Sequence, residues 1–342
     1  MTQRHKLAWA VVLLAVFQCL ILFAGFFAPY DFAAQNRERP FAAPASLHFV
    51  DPRGHFHLRP FVYDVERPGQ GGETSSSPGV PYPVHFFVDD TPYKIAGVFP
   101  SHVHLFGVEA PGHIFLMGSD AYGRDQFSRF LFGGQISMLA GVIAAILSVA
   151  IGVIVGGIAG YYGGWLDELL MRGGELFLAL PWLYLLFAMR AALPLHISQW
   201  QVFLLLVSVM GLIGWARPAR LIRGVVLSAK QRNFVAAARG FGASDAYLLR
   251  RHVLPQTYAV LLTQMTLLIP QYVLAEVTLT FLGLGVGEPL PSWGALLSSL
   301  QQYYVLSSYW WMFLPALFLI PLFLAFYTAA DALQELHKRV AL

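Results

Sequence analysis

Apolar residues fall along this chain in long blocks, separated by polar stretches that carry proline, glycine and charge. A bilayer-crossing helix needs roughly 20 mostly apolar residues. On that measure the blocks predict six spans: Leu7–Ala28, Ile136–Tyr161, Gly174–Leu193, Gln201–Trp215, Tyr258–Leu282 and Trp311–Ala329. The first block follows Arg4, His5 and Lys6. It exceeds the roughly 7–15 residue apolar core of a signal peptide and no small-residue cleavage site follows it, so it reads as a span. Between the first two spans the pattern changes. VHFFVDD and YKIAGVF alternate apolar and polar positions, and ERPGQGGETSSSPGVPYP is rich in turn formers. Short strands joined by turns are predicted there.

Composition agrees with a membrane class. Of 342 residues, 57% are hydrophobic and only 12% charged, about half the charged share of an ordinary soluble domain. The single cysteine, Cys19, excludes a disulfide framework within the chain and a cysteine-based metal site. His48, His55, His57, His85, His102, His104 and His113 invite a metal reading, since HFH and HVH can offer two ligands from one strand face. No cysteine or tight acidic cluster completes such a site, and no metal ligands are assigned. GxxxxGK[ST], HExxH and GxSxG are absent. GLGVG near 283–287 follows an apolar span and lacks the βαβ surroundings of a dinucleotide site.

Charge orients the spans. Between Trp215 and His252 stand Arg217, Arg220, Arg223, Lys230, Arg232, Arg239, Arg250 and Arg251 against one acid, Asp245. Lys and Arg near span ends mark the cytoplasmic side. Alternation from there puts both termini inside, with Arg4 and Lys6 at one end and Lys338 and Arg339 at the other. It puts Pro29–Gly118, where acids outnumber bases, outside. The division expected is 1–29 for the N-terminus and first span, 30–117 for a β-rich extracytoplasmic insertion, 118–335 for a helical core holding a cytoplasmic loop at 216–256, and 336–342 for a cytoplasmic tail.

The stretch RNFVAAARGFGASDAYLLRRHVLP, 232–255, is too polar to cross a bilayer. Its alanines favour a helix, Gly242 permits a sharp break, and Asp245 is suited to cap a second helix. Pro255 stands where the next span begins. Such a helix–turn–helix at a membrane surface is shaped to dock on something in the cytoplasm.

Residues 234–255 resemble the coupling motif of binding-protein-dependent ABC importer permeases, which runs EAA, three residues, glycine, then an apolar residue and LP. Ala237, Ala238, Gly242, Leu254 and Pro255 match, while Ala236 stands in place of the family glutamate. FAPYD (27–31), GSDAYGRDQFSRFLFGGQIS (118–137), GGWLDELLMR (163–172) and FLGLGVGEPLPSWG (281–294) are similar to blocks of the oligopeptide/dipeptide permeases, in the subunit class whose signature includes GRD. Only about Val50–Leu116 departs from the pattern, as an enlarged insertion.

The resemblance implies an all-α polytopic protein with the type I importer permease fold, in a bacterial inner membrane. It implies a second, homologous permease, ABC ATPase subunits, an extracytoplasmic solute-binding protein and surrounding lipid as partners, and no nucleic acid. ATP and magnesium would be bound by the ATPase subunits, with no cofactor on this chain and no catalytic residue in it. The residues implied for coupling are Phe234, Ala236, Ala237, Ala238, Arg239, Gly242, Ala243, Ser244, Asp245, Leu254 and Pro255. Glu276 is the candidate pathway acid, since an intramembrane carboxylate is a functional hypothesis by default. Asp120, Gly123, Arg124, Asp125 and Arg129 form a charged group at the outer entrance, where opposite charges are expected to lock a short helix. Peptides lead the substrate classes, with nickel chelates, glycosides and peptide antibiotics open. An ion-coupled carrier or a polytopic membrane enzyme would instead need internal repeats or an intramembrane polar cluster, and the sequence offers neither.

Overall fold

The structure is a computed structural model that describes residues 3–51, 53–63, 80–95, 97–179 and 197–341, with 181, 184, 185, 187 and 188 between them; the side chains of 337–341 lie outside the description. Among the described residues five helical stretches are long and apolar enough to cross a membrane: Arg4–Leu22, Gln126–Tyr162, Gln199–Ala229, Asp245–Phe281 and Trp310–Leu336. The second half of the predicted third span, Gly174–Leu193, lies mostly outside the described residues, as do most of the 66–83 cluster and the side chains of Lys338 and Arg339.

Two boundaries differ from the sequence expectation. The second span begins at Gln126, not Ile136. Arg129 enters its first turns because Glu288 meets the guanidinium at 2.9 Å. The basic stretch after Trp215 is helix, not loop, as far as Ala229. Arg217, Arg220 and Arg223 recur at helical spacing on one face, and the opposite face buries Ala216, Ala219, Ile222 and Val226.

The chain divides into two compact units. One comprises Met1–Val12, Met138–Leu279 and Phe323–Leu342. Its helices are the later part of α3 (Gln126–Tyr162), α4 (Gly164–Ala179), α5 (Gln199–Gly214), α6 (Ala216–Ala229), α7 (Asn233–Gly240), α8 (Asp245–Leu248), most of α9 (Tyr258–Phe281) and the end of the last helix, Leu314–Ala341. The packing of α3 on α6 rests on absent side chains. Gly152, Gly156 and Gly160 lie one turn apart along α3. A Cβ at Gly152 would sit 2.7 Å from the Pro218 Cβ, and one at Gly160 would sit 2.9 Å from the Arg223 carbonyl oxygen. At Gly156 it would overlap the Ala219 carbonyl. Small residues spaced by four let two backbones touch, which in lipid replaces the hydrophobic drive that water supplies. Ser148 adds a polar tie, donating to the Gly211 carbonyl at 3.1 Å and lying 2.6 Å from the Tyr272 hydroxyl.

A second tie fixes α4 to α6. Arg223 donates from Nε to Asp167 Oδ1 at 2.5 Å and from Nη2 to Oδ2 at 2.6 Å. The two-pronged bond holds the Asp167 carboxyl below the usual carboxylate range.

The other unit comprises Leu13–Ser137 and Thr280–Leu322. It contains the end of α1 (Gln3–Leu22), the short α2 (Ala24–Phe27) and a four-stranded antiparallel meander in the order β1-β2-β3-β4. The strands are β1 (His48–Val50), β2 (Phe56–Tyr63), β3 (Pro81–Ile95) and β4 (Phe99–Val108). VHFFVDD and the start of YKIAGVF are one long strand, not two. Turns are expected between these stretches, yet the chain passes Thr91 and Pro92 as an irregularity between Asp89 and Tyr93 and turns only at Gly97–Val98. Val62, Val84 and Ile114 make the sheet's core, packed by Tyr30, Tyr82 and Phe106. His55 and His57 both face Asp51 at 3.2 and 3.3 Å, and His104 bonds the carbonyls of Ala28 and Thr91.

Candidate functional site: the basic loop and the ion cluster

The basic loop folds as the sequence suggests, with one correction. Helix α7 ends at Gly240, and Gly242 adopts a left-handed φ of 85°. Its N–H donates to the Arg239 carbonyl at 2.9 Å and the next N–H reaches back to Ala238 at 3.2 Å, closing the helix end. The cap of the following helix is Ser244, whose hydroxyl accepts the Tyr247 N–H at 3.4 Å. Asp245 is the first helical residue, and its carboxylate is engaged elsewhere. Tyr161, at the end of α3, donates to Asp245 Oδ1 at 2.6 Å, and Arg239 donates to both the Tyr161 oxygen and Asp245 Oδ1 at 3.1 and 3.2 Å.

Sequence reasoning missed Tyr161 and Lys230, because their partners lie far along the chain. Lys230 Nζ donates to the carbonyls of Gly160 and Tyr161 at 2.9 and 3.2 Å. A cation there satisfies the last carbonyls of α3 and suits the negative end of its dipole. Beneath the loop, Tyr161, Ile222, Val226, Val235, Leu248 and Val253 form one buried cluster, with Ala238, Ala243 and Leu254 packed on it. A π turn, Leu249–Val253, and a 3-10 turn, Leu254–Thr257, lead into α9, with Pro255 in the first turn of the latter.

The loop is pinned on one side and open on the other. Ala236, Ala237 and Arg239 are exposed, Phe234 is half-exposed, and Phe241 is 93% exposed beside the Gly242 turn. Phe241 is the largest apolar surface at the turn, signalled in the sequence only by an aromatic residue between two glycines. Tyr247, Arg250 and Arg251 line a cationic hollow of about 470 Å³ on the second helix.

Asp120, Arg124, Asp125 and Arg129 do come together, with Asp120 and Arg124 in a closed turn and Asp125 and Arg129 at the start of α3 rather than in a separate short helix. Asp120 Oδ1 accepts the N–H groups of Tyr122 and Arg124 at 2.8 and 3.0 Å, a side-chain turn that competes with helix. Its Oδ2 accepts Arg124 Nε at 2.7 Å. Gly123 takes a φ of 72° with its open side against the Asn36 carbonyl, which leaves no room for a Cβ. Arg124 and Arg129 both donate to Glu288 Oε1 at 2.9 Å. Glu288 is thus the ion-pair partner that sequence separation concealed. Asp125 caps α3, accepting the Ser128 N–H at 2.8 Å and its hydroxyl at 2.6 Å. Burial pushes its carboxyl up to about 6. Glu276 is fully buried within α9. Lining a pathway would require the helices around it to part.

Long apolar helices, with a polar helical loop held on a buried cluster, define a multi-pass membrane protein. Residues 149–339 match the family described as binding-protein-dependent transport system inner membrane component. The dipeptide transport system permease protein DppC of Bacillus subtilis (strain 168) is 36% identical over 219 residues, 64% of this chain and 66% of that protein. The matched stretch thus spans just under two thirds of that relative's length. The glutathione transport system permease protein GsiD of Escherichia coli O6:K15:H31 (strain 536 / UPEC) is 38% identical over 236 residues, 69% of this chain and 72% of that protein. A crystal structure of an amino acid ABC transporter with histidines aligns with 62% of this chain and 94% of its own, at a TM-score of 0.45 and 17% identity, a likeness too slight to carry weight. The chain belongs to the binding-protein-dependent transport system inner membrane component family.

Proposed function

We propose that this chain is one of two permease subunits of an ATP-driven importer of short peptides, and that the 232–255 loop receives the stroke of an ATPase subunit. The observation that carries the reading is the two-sidedness of that loop. Val235, Leu248 and Val253 are buried under it, and Phe241, Ala236 and Ala237 are left open for a partner. Small alanines allow a close approach, and an exposed phenylalanine offers an anchor of the kind that dominates interfaces. Phe234, Arg239, Ala243, Ser244, Asp245, Leu254 and Pro255 complete the lever, with Gly242 its bend. ATP and magnesium belong to the ATPase subunits, and a solute-binding protein delivers the substrate on the opposite side.

The basic loop sets the topology of the reading: both termini cytoplasmic, the sheet outside, in a bacterial inner membrane. The similarity to dipeptide and glutathione permeases supports small peptides as cargo.

The test is co-purification of this chain from its own membranes in mild detergent, with mass spectrometry of the companions, followed by uptake of di- and tripeptides and glutathione into proteoliposomes. Recovery of a second permease and ATPase subunits, with ATP-dependent uptake of a peptide, is the expected result. A chain recovered alone, or a complex that moves none of these substrates, overturns the corresponding part of the reading.

A further inference from the structure

The first span and the sheet that follows it carry an unassigned surface. The apolar window of α1 runs Arg4–Leu22. At about 1.5 Å per residue those residues cover roughly 28 Å, close to the roughly 30 Å of a hydrocarbon core. Leu22 therefore arrives at the edge of the hydrocarbon. The helix breaks at Phe23, which has φ −96° and ψ 30°, and a second short helix, Ala24–Phe27, follows at once. The Phe23 N–H still bonds Cys19 at 3.0 Å, and within the second helix Phe26 bonds Phe23 at 2.9 Å and Ala28 bonds Ala24 at 2.8 Å. Phe26 lies in that second helix, four residues past the end of the span and so at the level of the polar headgroup layer.

The sheet is fixed at that level. The Tyr93 ring occupies the space where a side chain on Gly25 would be. His104, from β4, bonds the Ala28 carbonyl through Nδ1 at 2.7 Å and the Thr91 carbonyl through Nε2 at 3.0 Å. Beside this junction β3 presents two successive phenylalanines to the outside. Phe86 is 56% exposed and Phe87 68% exposed, and the Phe87 ring lies 6.3 Å from that of Phe26. Phe87 also holds a left-handed φ of 58°. Aromatic residues rarely adopt that conformation, and such strain persists where the surroundings make use of it.

We propose that Phe86 and Phe87, continuous with Phe26, seat the β3–β4 hairpin in the interfacial layer of the bilayer at the end of the first span. The occupant of this surface is lipid. Leu22 and Phe23, at the end of the span, are both partly exposed, and Phe26, three residues on, carries the contact to Phe87. Aromatic rings placed at headgroup depth are favoured because the ring stays out of water while neighbouring polar backbone meets the headgroups. The seat would hold the sheet at a set depth rather than leave it standing in water.

The test uses the full complex in phosphatidylcholine nanodiscs, in a Cys19→Ser background. A nitroxide is placed by Phe87→Cys, and separately by Phe86→Cys should the first variant fail to assemble. Leu58→Cys on β2, 91% exposed, serves as the reference. Collision with dissolved oxygen and with a water-soluble nickel chelate is read at each site. The expected result is oxygen access at 87 with nickel access several-fold below that at 58. Nickel access equal to that at 58 overturns the proposal in favour of a water-exposed hairpin. Protection from both agents overturns it in favour of a protein partner over the face.

Discussion

The hydroxyl of Tyr161 reaches Asp245 across 84 residues of sequence, at 2.6 Å. It joins the end of a membrane helix to the start of the second helix of the basic loop. A push on the loop therefore meets α3 through a hydrogen bond, in addition to the apolar cluster beneath. Tyr161→Phe keeps the ring in that cluster and removes the bond. Losing one such bond costs about 1 kcal/mol, too little to prevent assembly. We expect normal levels of complex and a lower ratio of peptide transported to ATP hydrolysed in proteoliposomes. An unchanged ratio would separate this bond from coupling.

Gly242 separates backbone strain from crowding. Apart from the glycine and its two chain neighbours, no atom lies within 4 Å of the place a Cβ would take, and φ is 85°. The Cβ of a valine therefore meets no more distant part of the chain, but the residue is forced into a conformation costing roughly 1–2 kcal/mol. An asparagine tolerates it. Gly242→Val should insert in the membrane yet uncouple hydrolysis from uptake, whereas Gly242→Asn should retain most uptake. Equal loss in both variants would point to a partner packed against the glycine itself.

Asp125 makes stability depend on pH in an unusual sense. Burial raises its carboxyl to about 6 from an ordinary value of 3.8. Between those values the folded chain holds a proton that the unfolded chain has released. The stabilisation is complete below about pH 4 and is lost as pH rises through about 6, a change on the order of 3 kcal/mol. Asp125→Asn keeps an acceptor for the Ser128 N–H and removes the titration. Thermal unfolding of the variant in detergent should be flatter from pH 4.5 to 6.5 than that of the natural chain. Parallel profiles would reject the assignment.

Five of the six expected spans and the helix–turn–helix of the loop were legible because each depends on local sequence. A run of apolar residues can satisfy its backbone only as helix once in lipid, and Gly242 marks its own turn. The pairing of Arg124 and Arg129 with Glu288 was not legible, since nothing near GRDQFSR indicates an acid more than 150 residues later. The outer charges were expected to form a helix because opposite charges near one another suit helical spacing. The Asp120 side chain instead bonds the backbone N–H groups that a helix would use. The GxxxGxxxG of 152–160 was legible and went unread. It is a known signature of close helix contact, carried inside an apolar run that also satisfies the length of a span.

That glycine seam leaves α3 with two unequal faces. On the α6 side, the first carbon of any side chain at 152, 156 or 160 would meet a backbone or a ring, so nearly every codon change there is a lesion. On the opposite side Ile146 and Ile154 are more than half exposed, and one apolar residue serves there about as well as another. Within a single helix, random mutation would thus be filtered by azimuth: intolerant on the side that carries the glycines and the buried Ala145, Ser148 and Ala159, and permissive on the exposed side.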